Sequence, residues 1–73
     1  MWLSDDMARA LAATCPPLEH ADIVRAADEL AIARDPAQVT TDLFRRSYDL
    51  IAARQIVEAL LALQTVGVRA NVN

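Results

Sequence analysis

Residues 35–63 read DPAQVTTDLFRRSYDLIAARQIVEALLAL, and the architecture depends on how this run divides into helices. Asp35 is an N-cap residue, Pro36 suits the first helical position, and Gln38 stands three residues after the cap to reciprocate. A helix therefore starts at 36. The β-branched run Val39-Thr40-Thr41 weakens helix propensity and offers a second cap at Thr40 or Thr41, which puts the alternative start near 42. From there Leu43, Leu50 and Val57 repeat at seven, Ala53 and Leu60 interleave, and Phe44, Ile51 and Leu61 widen the apolar stripe. Gly67 is placed to stop the helix in the left-handed conformation, with Leu63 and Val68 as the hydrophobic pair of a Schellman cap. The spacing thus predicts one long helix over 37–66.

Working outward, Ser4 caps a first helix over 5–14, with Asp5 and Asp6 at the positive end of its dipole and Met7, Leu11 and Thr14 on one side. Pro16 and Pro17 end it, and Pro17 suits the first turn of a second helix running to Arg34. Ile23, Ala27, Leu30 and Arg34 mark one line on that helix and Val24, Ala27 and Ala31 the next, a narrow stripe rich in alanine. Val68 to Asn73 alternates apolar and polar residues and reads as a frayed tail in preference to a short strand. The expectation is an all-α, three-helix, small helical bundle in a single domain over 1–73. Its long C-terminal helix forms an antiparallel helical hairpin with helix 2.

The 73 residues exclude a second domain. Of 40 apolar residues 15 are alanine, which leaves 25 larger groups for a core. A core this thin usually needs a staple. Cys15 is the only cysteine and His20 the only histidine, so neither an intramolecular disulfide nor a four-ligand zinc site is open to the chain. No metal or other cofactor is expected. Self-association or a partner protein remains as the staple.

One unpaired cysteine suits a reducing compartment, and the start of the chain has neither the basic nor the apolar region of a signal peptide. Its longest apolar run, Ala59 to Leu63, falls far short of the roughly 20 residues that span a bilayer. A cytoplasmic protein without a membrane partner is expected. All seven cations are arginine. Residues 1–38 carry seven acids against three arginines, and residues 39–73 three acids against four arginines. The net charge of −3 and pI near 4.8 have the wrong sign for a dense phosphate-binding face, so nucleic acid is disfavoured as a partner.

Catalysis is not expected. Cys15 and His20 are the only thiol–imidazole pair, five positions apart across Pro16-Pro17, and no orienting group beyond Asp22 lies near them in sequence. The adjacent pairs Asp5/Asp6 and Asp28/Glu29 point about 100° apart on a helix and converge on no reacting atom. No small-molecule substrate is evident. Asp42, Arg45, Arg46 and Asp49 form a mixed cluster in which Asp42 reaches either arginine and both reach Asp49. Its functional reading is an arginine pair, Arg45 and Arg46, offered to an acidic partner.

Residues 56–63 are apolar on nearly all sides, interrupted only by Glu58. Two short alanine-rich helices cannot cover every side of such a helix, so part of it is expected to meet another chain. The expected partner-binding residues are Ile56, Val57, Leu60, Leu61 and Leu63 as anchor, with Arg45, Arg46 and Tyr48 near the rim. Tyr48 and Trp2 both join an apolar body to a polar tip; Trp2 is read as a cap over the core.

The order helix, Asp-Pro break, long helix with Ser47-Tyr48-Asp49-Leu50 and Gln55 resembles, over about half the chain, the helical-hairpin needle subunits of bacterial type III secretion systems. The run Leu50 to Arg54 is similar to the C-terminal helices of flagellar rod and hook proteins. A pattern that fits two families identifies neither. The leading expectation is a small non-enzymatic interaction subunit or adaptor that self-associates or docks on a larger protein. The alternatives are an acidic helix-turn-helix regulator, whose turn at Asp35-Pro36 lacks the usual glycine, and a subunit of a secretion or filament assembly.

Overall fold

A computed structural model describes the backbone of residues 3–72 and the side chains of residues 3–66. Trp2 lies outside the described residues. Among them are four helices: α1 (Asp5–Ala13), α2 (His20–Ala31), α3 (Pro36–Ser47) and α4 (Leu50–Val72).

Ser4 caps α1 as expected, its Oγ accepting from the Met7 amide at 3.2 Å. The buried side is turned by one residue from the expected one. Ala8, Ala12 and Cys15 face inward, Leu11 is half-buried, and Met7 and Thr14 are exposed. Alanine on the inner face lets α1 lie close along α2, its chief packing partner.

α2 starts three residues later than Pro17, and the Asp22 carboxylate accepts from the Glu19 amide at 2.8 Å to close its first turn. It also ends earlier, at Ala31. There the chain makes a Schellman cap with Ala33 in the left-handed conformation, φ 65°, where glycine is usual. The Ala33 amide donates to the Leu30 carbonyl at 3.1 Å and the Arg34 amide to the Glu29 carbonyl at 3.0 Å.

α3 starts at Pro36, with the Asp35 carboxylate accepting from the Ala37 amide at 3.0 Å. Gln38 contributes its backbone amide, to the Asp35 carbonyl at 2.9 Å. The alternative start near 42 is overturned, because Thr40 and Thr41 donate their hydroxyls to the Pro36 and Ala37 carbonyls one turn back, as interior helical residues do.

The single helix expected over 37–66 is two. Tyr48 adopts the left-handed conformation, φ 57° and ψ 25°, with its amide still donating to the Phe44 carbonyl at 2.7 Å. The buried Ser47 hydroxyl donates to the Leu43 carbonyl at 2.8 Å and accepts from the Asp49 amide at 3.2 Å. Asp49 then caps α4 by accepting from the Ala52 amide at 3.0 Å. Serine and aspartate thus offer the backbone local partners that replace those of a continuous helix.

This break corrects both the helix count and the pairing. α4 packs most extensively on α3 and then on α2, in place of a simple hairpin with helix 2. Gln64 Nε2 donates to the Leu30 carbonyl at 3.4 Å, just before the turn into α3, so α4 runs back toward the start of α3. Gly67 does not stop α4, which continues through it to Val72, and residues 68–72 are helical. Glycine permits the left-handed turn without requiring it, and inside a helix it costs only about 1 kcal/mol. The pairing of Leu63 with Val68 lies outside the described side chains, and so does the structure of Asn73.

One core joins all four helices. Ile23, Ala27 and Leu30 of α2, Val39 and Leu43 of α3, and Ala53, Ile56, Val57 and Leu60 of α4 are buried with Ala8 and Ala12 of α1. Leu3, Cys15 and Leu18 close the end beside α1.

Candidate interaction surface

The break at Tyr48 decides which large side chains reach solvent. On α3, Val39, Leu43 and Ser47 occupy the inner line at four-residue spacing, which turns Phe44 outward. After the break α4 sets its own inner line through Ala53, Ile56, Val57 and Leu60, which leaves Leu50 and Ile51 facing out of its first turn. Tyr48 is 84% exposed and Ile51 71%, with Phe44 and Leu50 each more than a third exposed. The Phe44 and Tyr48 rings meet edge to face at 6.5 Å between centroids. Four large apolar groups therefore sit within one eight-residue corner. Among the described residues the other exposed ones are Met7 on α1, Ile32 at the end of α2 and Val66 fifteen positions beyond Ile51 on α4, and scattered single groups are ordinary surface.

Beside this corner, α2 and α3 enclose a cleft of about 280 Å³ whose floor is Ala26, Val39 and Leu43. Asp22, Glu29 and Asp42 on its walls are engaged. Arg34 pairs with Glu29 at 2.9 Å and with Asp42, while Arg46 reaches Asp22 at 3.4 Å. The hydrogen bonds to Asp42 and then Glu29 raise the Arg34 guanidinium above its ordinary value. While its carboxylate partners are ionised, a raised cation contributes stability that is lost only as pH rises through its folded value, so this link persists through the neutral range. Arg25 and Arg45 also line the cleft, and neither meets a carboxylate among the described residues.

Three of the five expected anchor residues lie inside the chain and two at its edge. Ile56, Val57 and Leu60 are buried in the chain's own core, and Leu61 and Leu63 pack half-buried against it. Within residues 56–63 the exposed side chains are Glu58 and Ala62, one charged and one small. The segment is covered from two sides, by α3, which is a separate helix, and by α2. Arg45, Arg46 and Tyr48 are exposed as expected. The expected bonds within their cluster do not form, since Asp42 turns to Arg34, Asp49 caps α4 and Arg46 turns to Asp22.

Cys15 is buried, and the contact made by the half-buried His20 ring is with Asp5, at 3.3 Å. Among the described residues no helix is long and apolar enough to cross a membrane, and no three metal-ligating side chains are grouped. The sequence pattern places Phe44, Leu50 and Ile51 on one apolar stripe of a continuous helix and marks no role for Arg25. The signal for the first three was present in Ser47 and Asp49, two capping residues flanking one position. Comparison with protein-family models, curated proteins and solved structures returns no match for this chain.

Proposed function

We propose that this chain is a small non-enzymatic interaction module that engages another polypeptide through the corner between α3 and α4. The supporting observation is Tyr48, an exposed tyrosine held in a conformation that costs a side-chain-bearing residue about 1–2 kcal/mol. Glycine or asparagine would turn the chain at lower cost, and neither would present an aromatic ring beside Phe44 and Ile51. The test uses Tyr48→Asn with Ile51→Glu, which tolerates the turn, favours the first turn of α4 and removes the apolar contact. Capture from an extract of the source cells, compared between this variant and the unaltered chain at matched thermal stability, should lose its bound polypeptide at least tenfold. Equal capture by both would rule the corner out. Light scattering on the purified chain tells a second copy from a different partner.

A second reading rests on the turn 32–35, where left-handed Ala33 takes the place that glycine often holds in a helix-turn-helix. It would make the chain an acidic DNA-binding regulator with α3 as reading helix. Salt-dependent binding to duplex DNA favours it, and no binding at low salt removes it.

A further inference from the structure

We propose that the cleft between α2 and α3 is a carboxylate-binding site that receives an acidic side chain of the partner polypeptide between Arg25 and Arg45. The source of the ligand rests on the interaction-module reading; the site rests on the cleft alone. Arg25, Arg45 and Arg46 line the cleft together with Asp22, Glu29 and Asp42, and Arg34 pairs with Glu29 and Asp42 from outside it. Each of the three acids already has a cationic partner. Arg25 from one wall and Arg45 from the other have none among the described residues, and a planar guanidinium fork matches a carboxylate.

The floor of Ala26, Val39 and Leu43 keeps one side of the cleft apolar, which strengthens a charge contact made above it. The phosphate of a nucleotide would need further free donors, and Arg34 and Arg46 are committed.

The test is a titration of the full chain with acetylated, amidated tetraglutamate, followed by NMR through the arginine Nε–H signals. Saturable shifts at Arg25 and Arg45, with Arg9 and Arg54 unmoved, are expected. Arg25→Gln and Arg45→Gln should each weaken binding about tenfold with unchanged thermal stability, and tetraglutamine should not bind. Equal shifts at all arginines, or unweakened binding by both variants, would overturn the site. Displacement of the peptide by inorganic phosphate at lower concentration than by acetate would overturn its carboxylate assignment. The Tyr48→Asn, Ile51→Glu variant should bind tetraglutamate like the unaltered chain, so failure of the corner and failure of the cleft are read separately.

Discussion

Ala33 and Tyr48 both take positive φ without being glycine, and each ends a helix. At Ala33 the methyl group makes no contact that repays the strain, since the residue is exposed and the cap is made by backbone amides. Ala33→Gly should therefore raise stability by about 0.5–1 kcal/mol, the relief of strain less the entropy glycine adds to the unfolded chain. Thermal unfolding followed by circular dichroism should show a midpoint about 3–6 °C higher. A lower midpoint would mean that the turn needs alanine for a reason other than geometry. Neither left-handed position was legible in the sequence, because alanine and tyrosine carry no local preference for it; Gly67, which carries one, remains helical.

At the scale of elements, the starts of helices were more legible than their ends. Ser4 and Asp35-Pro36 act where their side chains suggest, because an N-cap is a bond between near neighbours. The division of the long helix was not read, although Ser47 and Asp49 are its instruments. The seven-residue repeat through Leu43, Leu50 and Val57 spans the break, so periodicity argued for continuity where capping chemistry argued against it. Asp49→Ala removes the acceptor for the Ala52 amide and should cost about 1 kcal/mol. Urea unfolding should show a lower midpoint at unchanged slope. An unchanged midpoint would mean that packing of α4 on α3 holds the corner without the cap.

Over the whole molecule, the radius of gyration is 11.6 Å, near the roughly 11 Å expected for a compact chain of this length. The buried groups close within one protomer. Leu60→Ala should then cost about 2–5 kcal/mol, enough to unfold much of a small domain, while Ile51→Ala should cost less than about 0.5 kcal/mol. Denaturant titrations of both variants check this. A melting midpoint of the unaltered chain that climbs from about 5 to about 500 µM would identify a second copy as the partner, and a constant midpoint would point to a different polypeptide.

Composition, helical periodicity and the local caps determined an all-helical chain and several of its boundaries, because those depend on residues within a turn of one another. Which apolar side chains are spare was settled only by the tertiary structure. Burial depends on where a helix breaks and what then packs over it: Ser47 and Asp49 turn α4 back, Ile56, Val57 and Leu60 go inside, and Phe44, Tyr48 and Ile51 are left facing water.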